Sequence, residues 1–276
     1  MFAPYDGPDA VIQPGSISYA YNSPIYIIYY VLNTTLGFST SQINAASFDA
    51  AYTYLITDTA ARFNNWSFGR QFMEQIASID MVADFARLCG LIPFLSADGT
   101  WKLALHNQAG TPVETFSDIS TDFPCKDLIW DWSQAYASRF RFNWQWNPGP
   151  QQFTQHLLVN KDISVSAFLS NAKTQCTNAF NNYGADVTAE DLDLFWVWDS
   201  ATAENVAKIF INYMAVRRRK IRFKSKISAA KLEIGDTIRT FHLSQTWTTT
   251  KDFQVREVRI MEGGVVEITA LEVNSL

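Results

Sequence analysis

Between residues 201 and 243 the spacing of apolar positions changes from a helical period to a strand period. Apolar side chains first recur at i, i+3, i+4, i+7 and i+8, the spacing of an amphipathic helix with one buried face. Asp199 and Ser200 stand directly before this run and are suitable N-cap residues. The pattern predicts a helix whose buried face carries Val206, Ile209, Phe210, Tyr213 and Met214.

After this helix, apolar and basic side chains alternate, as in a half-buried strand. Further apolar alternation follows at residues 232–238, around Gly235-Asp236, and then at 253–260 and 265–273, with Glu262-Gly263-Gly264 as a hairpin turn. The sequence therefore predicts a helix followed by a four-strand antiparallel meander. In its first strand, Ile221, Phe223, Ser225 and Ile227 share one face and Arg222, Lys224 and Lys226 the other.

Four more helices are predicted upstream, over residues 24–33, 41–53, 70–89 and 163–181. Pro24 suits the first position of a helix, and Gly90 closes the third of these helices. The first 22 residues contain prolines and glycines with no sustained period, so we expect an extended arm there.

Two hairpins are predicted between these helices, which places the chain in the α+β class. In the first hairpin, residues 91–96 and 101–106 flank the turn Ala97-Asp98-Gly99-Thr100, where Gly99 can adopt a positive φ. In the second, residues 139–146 lead through Asn147-Pro148-Gly149-Pro150 to a return strand.

The second hairpin has aromatic residues at every other position of its first strand: Phe140, Phe142, Trp144 and Trp146. Aromatic residues with a period of two are typical of the inner face of a sheet, and this is the interpretation we favour. A sugar-binding platform formed by Trp144 and Trp146 is the alternative that the sequence leaves open, since flat aromatic rings also stack on pyranose rings.

Charge changes the picture of the C-terminal region. Residues 1–216 contain 10 basic and 20 acidic side chains, a balance of -10, whereas residues 217–276 contain 12 and 7, a balance of +5. The basic excess begins at Arg217, Arg218, Arg219 and Lys220. Because these cations lead into an alternating strand and no nucleic-acid motif accompanies them, a solvated face or a subunit contact is favoured over nucleic-acid binding.

Candidate chemistry is sparse. The three cysteines, Cys89, Cys125 and Cys176, are widely spaced, so we expect core thiols and neither a disulfide framework nor a metal site. The sequence contains no Gly-x-Ser-x-Gly, phosphate-loop or His-Glu-x-x-His motif. We therefore expect a protein that is not an enzyme and uses no cofactor. A cell-wall hydrolase with two facing carboxylates stays open as an alternative.

The N-terminal region carries no basic residue before Arg62, so an ordinary signal peptide is not expected. No residue from Ala10 to Phe48 is charged, but prolines, glycines and asparagines interrupt this stretch too often for a membrane span. We expect the protein to be made and kept in the cytoplasm until it is assembled.

The order of short motifs along the chain resembles that of one protein family. The motifs are Asn22-Ser23-Pro24, Leu36-Gly37, Ile43-Asn44, Ser47-Phe48, the hairpin from Ala97 to Leu103, the strands around Asn147-Pro148-Gly149-Pro150, Tyr183-Gly184 and Leu232-x-Ile234-Gly235-Asp236-x-Ile238. In this order the chain resembles the central tail hub, or tail tip attachment, proteins of long-tailed bacteriophages, a baseplate-hub-like family that includes gene transfer agent hubs.

The resemblance implies antiparallel β-barrel domains like those of the tail tube, joined by helical insertions. Three copies would form a hub ring that joins the tail tube to the tip complex and forms part of the DNA ejection conduit. The implied partners are two further copies of the chain, a distal tail or tail tube protein, the tape-measure protein and other tail tip proteins, with DNA only in transit. The implied location is the virion tail tip, after assembly in the host bacterial cytoplasm.

In this scheme residues 1–22 are an extended arm, 23–90 a helical segment, 91–200 a hairpin-rich hub domain with an inserted helix, and 201–276 a helix plus a barrel portion. Only about 21 residues precede Asn22, where the family usually has a further barrel, and no long extension follows Leu276. We therefore do not expect this chain to recognise the host. We expect the basic strand from Arg217 to Lys226 to pack against an acidic neighbour, which makes Arg217, Arg218, Arg219 and Lys220 the candidate subunit contacts.

Overall fold

The structure is a computed structural model that describes residues 23–57, 66, 68, 77–106, 110–132, 136–184, 186–241 and 250–273. The chain divides into two compact units. The first unit comprises Met1–Leu103 and Tyr136–Val216, and the second comprises Ala104–Ala135 and Arg217–Leu276. The predicted N-terminal arm and the first part of the helix predicted at residues 70–89 lie outside the described residues.

The described residues form five α-helices and eleven strands. The helices are α1 (Pro24–Tyr30), α2 (Ala45–Thr57), α3 (Ser78–Leu88), α4 (Ser170–Tyr183) and α5 (Ser200–Met214). The strands are β1 (Leu91–Leu95), β2 (Trp101–Leu105), β3 (Glu114–Ser117), β4 (Lys126–Trp132), β5 (Phe140–Asn147), β6 (Gln152–Val159), β7 (Leu192–Leu194), β8 (Arg219–Lys226), β9 (Thr237–Phe241), β10 (Lys251–Ile260) and β11 (Val265–Glu272).

In the first unit, both predicted hairpins are confirmed. Strands β1 and β2 pair with each other, and Gly99 in their turn has a φ of 80°. Strands β5 and β6 pair antiparallel from Phe140 opposite Val159 to Asn147 opposite Gln152. Strand β7 adds to the other side of β5 in a parallel arrangement, so β5 is the central strand of a three-stranded sheet.

Helix α4 begins later than the sequence predicts. The side chain of Asn160 accepts hydrogen bonds from the backbone N–H groups of Asp162 and Ile163, at 2.8 and 2.9 Å. This local turn competes with helix formation at the predicted start. A short 3₁₀-helix at Ala167–Leu169 then leads into α4, which ends at Gly184 with a φ of 71°.

Helix α5 is capped as predicted but is buried more widely. The Oδ1 atom of Asp199 accepts hydrogen bonds from the backbone N–H groups of Ala201 and Thr202, at 2.9 and 3.1 Å. The prediction of a single buried face is wrong, because residues around most of the helix circumference are buried. They are Thr202, Ala203, Asn205, Val206, Ala207, Lys208, Phe210 and Ile211.

In the second unit, the strand order of the sheet is β3-β9-β10-β11-β8-β4. The alternation predicted for β8 is confirmed, since Ile221, Phe223 and Ser225 are buried. The predicted meander is wrong, because β8 pairs with β11 rather than with β9. The chain crosses from β8 to β9 through a 3₁₀-helix at Ile227–Lys231, which leaves Ile227 exposed and outside the strand.

The sheet of the second unit curls into a half-barrel. Phe116 on β3 and Phe223 on β8 are separated by three strands in the sheet, yet their ring centroids lie 5.1 Å apart. The edge strands approach at one end, where Ser117 forms a parallel bridge with Pro124. The interior carries Phe116, Cys125, Ile221, Phe223, Ala229, Leu232, Ile238, Phe253, Val255, Val266, Ile268 and Ala270.

The expectation of a closed antiparallel barrel is therefore corrected to an open, curled sheet for the part of the chain that the structure describes. Strands β3 and β4 each have a neighbour in the sheet on one side, and β3 runs parallel to β9. Both strands lie within residues 104–135, far before β8 in the sequence. Gly235, with a φ of 96°, lets the crossing segment approach Ala104, because a Cβ atom there would lie 2.4 Å from the Ala104 Cβ atom.

Candidate assembly surface

Strand β4 is an edge strand with large apolar side chains in solvent. It pairs with β8 through Trp130 opposite Ile221 and Trp132 opposite Arg219. Ile129, Trp130 and Trp132 remain 56%, 38% and 41% exposed. Edge strands of this kind offer unpaired backbone groups and apolar side chains to another chain.

The two tryptophans lie on the inner face of the sheet, at its open margin. Residues directly opposite each other in neighbouring strands share a face, so Trp130 lies on the same face as the fully buried Ile221. The indole rings of Trp130 and Trp132 meet edge to face, with centroids 5.8 Å apart and planes at 90°. This margin is thus a continuation of the core face that the described residues leave partly uncovered.

Two of the predicted contact residues pack on these tryptophans. The guanidinium carbon of Arg217 lies 5.7 Å from the centroid of the Trp132 ring, and that of Arg219 lies 5.6 Å from the Trp130 ring. Both distances are in the range of cation–π interactions. We call the group formed by Ile129, Trp130, Trp132, Arg217 and Arg219 the β4 margin.

The other two predicted contact residues lie differently. Arg218 is only 6% exposed, and its Nη1 atom donates a hydrogen bond to the backbone oxygen of Glu272 at 3.4 Å. Lys220 is exposed and lies opposite Asp131 in the pairing of β8 with β4. The structure therefore brings Arg217 and Arg219 together on the tryptophans, turns Arg218 inward and leaves Lys220 in solvent; a contact with another subunit stays a prediction for all four residues.

Acidic side chains of the same unit neutralise much of the basic strand. The Nε atom of Arg222 lies 3.9 Å from a carboxylate oxygen of Glu267, and the Nζ atom of Lys224 lies 3.0 Å from one of Asp127. Residues 104–135 contribute five acidic residues and one basic residue, a balance of -4 that nearly cancels the +5 of residues 217–276. The charge asymmetry along the sequence is therefore much smaller within the folded unit.

A bulge at Asp127 shapes the start of β4. The pairing with β8 shifts register between Lys126 and Ile129, and Asp127 has a φ of 52°. Bulges of this type bend an edge strand and are common where a sheet presents side chains to a ligand or partner. Asp127 is thus part of the geometry that presents the β4 margin.

Close to the basic residues of this unit, His106 is held neutral. Burial is the main cause that lowers its pKa to about 3, and the nearby charges of Arg256 and Arg218 contribute to the same decrease. Its Nδ1 atom lies 3.4 Å from Nη2 of Arg256, which fits an imidazole nitrogen that accepts a hydrogen bond. The imidazole is therefore uncharged at neutral pH.

The prediction of core thiols is confirmed. Cys89, Cys125 and Cys176 are free and buried. Burial raises the pKa of Cys125 and of Cys176 to about 12 and raises that of Cys89 well above its ordinary value, so all three remain protonated thiols at neutral pH. Reactive thiolate chemistry is not expected at any of them.

Among the residues that the structure describes, no group of three or more His, Cys, Asp or Glu side chains is arranged to hold a metal ion. No helix among them is long and apolar enough to cross a membrane.

Trp130 and Trp132 are not among the contact residues predicted from the sequence. A weak signal for them was present, because Trp130 and Trp132 flank the polar Asp131 at the spacing of a strand, although the apolar Ile129 interrupts the alternation. The pattern does not reveal that this strand lies at an edge beside β8, which is what leaves the tryptophans exposed.

No protein-family model and no curated protein matches the sequence. Solved structures do resemble the fold. A chain in the virion of a native gene transfer agent particle matches over 90% of this chain and 46% of its own length, with a TM-score of 0.55 and 11% identity. This match shows a shared fold.

Two tail proteins also match. The tail protein from Neisseria meningitidis MC58 gives a TM-score of 0.45 at 13% identity, over 77% of this chain and 60% of its own length. The 43 kDa tail protein of prophage MuSo2 from Shewanella oneidensis gives 0.44 at 9% identity, over 72% and 56%. The present chain thus spans about half the length of the structures it matches.

Proposed function

We propose that this chain is a structural component of a phage-type virion tail. The observation that carries the proposal is the fold shared with a chain of the gene transfer agent virion over 90% of the present sequence. In this role the protein acts through shape and assembly and is not an enzyme. The buried, protonated thiols and the neutral buried imidazole of His106 support a structural role for these groups.

In the finer form of the proposal, three copies assemble into a hub ring that joins the tail tube to the tip complex. The ring surrounds part of the path of the DNA during ejection and contacts a tail tube or distal tail protein, the tape-measure protein and other tip proteins. The motif order from Asn22-Ser23-Pro24 to Ile234-Gly235-Asp236 supports this form, because it resembles that of tail hub proteins.

The β4 margin is the surface that we propose for the contact between copies. Tryptophan and arginine are the side chains most enriched among residues that dominate interface energies. Arg217 and Arg219 are already held against Trp132 and Trp130 within one chain, so less side-chain entropy is lost on association. A second copy would cover the free edge and remove the aggregation hazard of an exposed strand.

The first test is the mass of the protein in solution, measured by native mass spectrometry alone and after co-expression with the proteins encoded beside it. We expect an assembly of three times the 31.3 kDa of one chain. A stable monomer under both conditions would contradict the ring.

The second test is a pair of matched tryptophan variants. Trp130→Ala should weaken assembly by about 2 kcal/mol or more if this residue is a central contact. Trp198→Ala is the control, because Trp198 is 50% exposed but belongs to the first unit. Unfolding curves of both variants show whether each is still folded, and equal assembly of the two variants would exclude the β4 margin.

A charge reversal tests the arginines separately. Arg217→Glu should block assembly, because it replaces the cation on Trp132 with an anion. Arg218 is unsuitable for this test because it is buried, so its reversal would damage the fold. The exposed Arg139 supplies the control Arg139→Glu in the other unit. Normal assembly of Arg217→Glu would remove this arginine from the interface.

A further inference from the structure

A surface depression of about 750 Å³ lies at the tip of the β5–β6 hairpin in the first unit. Its volume is in the range of small-molecule sites. The turn at Pro148-Gly149 forms part of its wall. The remaining lining residues are two tryptophans and four uncharged polar residues: Trp146, Trp198, Gln145, Asn147, Gln151 and Thr154.

The fold holds the two tryptophans at this depression. The backbone N–H of Gln145 donates a hydrogen bond to the backbone oxygen of Val197 at 3.0 Å, which fixes the segment carrying Trp198 beside β5. Trp146 packs on Phe153 and Phe195, with ring centroids 5.0 and 5.1 Å away. One indole is thus anchored, and Trp198 presents half of its surface to solvent.

Two of the polar residues have an unusual backbone conformation. Gln145 and Gln151 have φ values of 58° and 53°, in the left-handed region that glycine favours. Such a conformation costs free energy in a residue with a side chain, and conformations of this kind concentrate at binding sites. The sequence keeps glutamine at both positions, where glycine would remove the cost.

The polar atoms of the depression are suited to hydroxyl groups. Thr154 donates its hydroxyl hydrogen bond to Gln145 Oε1 at 3.0 Å, and Asn147 Oδ1 accepts one from the N–H of Gly149 at 3.1 Å. Asn147 and Gln151 are exposed, so their amide groups are open to solvent at the depression. Amides can donate to and accept from hydroxyl groups.

From these observations we infer that the depression at the β5–β6 tip binds an uncharged pyranose sugar of a larger glycan. Trp198 supplies a flat apolar surface for the ring, and the amides of Gln145, Asn147 and Gln151 supply hydrogen bonds to its hydroxyl groups. None of the described lining residues is charged, which disfavours phosphorylated or acidic ligands. The site goes beyond the proposed tail role and does not depend on it.

The site differs from the sugar platform that the sequence leaves open as an alternative. Trp144, which that alternative pairs with Trp146, is not among the described residues that line the depression. Trp198 takes its place, although it lies 52 positions beyond Trp146 in the chain. A proline-rich peptide also binds aromatic surfaces, but three amide side chains and a hydroxyl around two indoles favour a ligand rich in hydroxyl groups.

The test uses saturation-transfer NMR and calorimetry on the full chain with three neutral probes: maltotetraose, tetra-N-acetylchitotetraose and a galactose tetrasaccharide. A proline-rich decapeptide is tested in parallel. We expect saturation transfer to the ring protons of at least one sugar and none to the peptide. Binding of the peptide alone, or of no probe at millimolar concentration, would overturn the inference.

Two variants locate the binding. Trp198→Ala should weaken sugar binding by about tenfold or more, because the stacking surface is lost. Gln151→Gly removes the amide but permits the same φ, so it should weaken binding and leave the fold intact. Trp130→Ala, in the other unit, is the control and should bind as the unaltered protein does. Unchanged binding in Trp198→Ala would overturn the assignment to this depression.

Trp130→Ala and Trp198→Ala also separate the two proposals. Loss of assembly in Trp130→Ala with normal sugar binding supports the tail contact alone. Loss of sugar binding in Trp198→Ala with normal assembly supports the glycan site alone.

Discussion

Strands β4 and β5 carry similar patterns of aromatic residues but have different surroundings. Strand β5 lies between β6 and β7, and its Phe140 and Phe142 are 2% and 0% exposed. Strand β4 lies at the edge of its sheet, and its two tryptophans are about 40% exposed, at 38% and 41%. Alternation therefore identifies which side chains share a face and does not identify whether that face is covered.

The difference arises from what packs on each strand. The Phe142 ring lies 6.4 Å from that of Phe210 on α5, in an edge-to-face arrangement. Trp130 and Trp132 instead contact each other and two arginines. Arg217, just before β8, packs on Trp132, and Arg219, the first residue of β8, packs on Trp130. A covered aromatic strand is part of a core, whereas a half-covered one is available for a partner.

The largest expected effect comes from the covered strand. Phe142→Ala should lower the free energy of unfolding by about 3 to 5 kcal/mol, because it leaves a cavity in a fully buried site. Urea unfolding followed by circular dichroism measures this loss.

Trp130→Ala is the matched comparison on β4. It removes a larger side chain, but solvent already reaches that side chain, so we expect a loss of only about 1 to 1.5 kcal/mol in the isolated chain. Equal losses for Phe142→Ala and Trp130→Ala would mean that the β4 margin is as much a core as β5, and the contrast between the strands would fail.

Acidification should lower the stability of the second unit, which contains both β4 and His106, and so extends the comparison of the two strands. The folded pKa of His106 is about 3, below its ordinary 6.5, so the folded unit keeps the imidazole neutral while the unfolded chain takes up a proton. Stability is fully present above pH 6.5 and falls as the pH decreases towards 3. At pH 5.5 the loss is up to about 1.4 kcal/mol.

The measurement is the unfolding free energy at pH 7.5 and pH 5.5 for the unaltered protein and for His106→Gln. The variant lacks the titrating group, so its stability should change less between the two pH values. The same decrease in both proteins would assign the acid sensitivity to other groups.

Local features of the fold could be predicted from the sequence. The Asp98-Gly99 turn, the Asn147–Pro150 turn, the Asp199 cap of α5 and the alternation of β8 are each determined by residues close in the chain. Their physical causes act over a few positions, so the pattern contains the necessary information.

Features that depend on distant residues could not be predicted. The sequence of β8 does not reveal that its neighbours are β11 and β4, because its alternating pattern is compatible with several strand orders. The exposure of Trp130 and the approach of Trp198 to Gln145 depend on such long-range pairing. The late start of α4 is different, because its cause, the turn at Asn160, is local and could have been recognised.

The smallest expected effects concern the bulge that begins β4. Asp127→Ala should cost about 1 kcal/mol, because alanine tolerates a φ of 52° less well than aspartate does. Asp127→Asn should cost less than about 0.5 kcal/mol, since asparagine tolerates this conformation and the exposed pair with Lys224 contributes little. Unfolding curves of both variants test this order. A larger loss in Asp127→Asn than in Asp127→Ala would mean that the charge, rather than the backbone, holds the bulge and with it the exposed margin of β4.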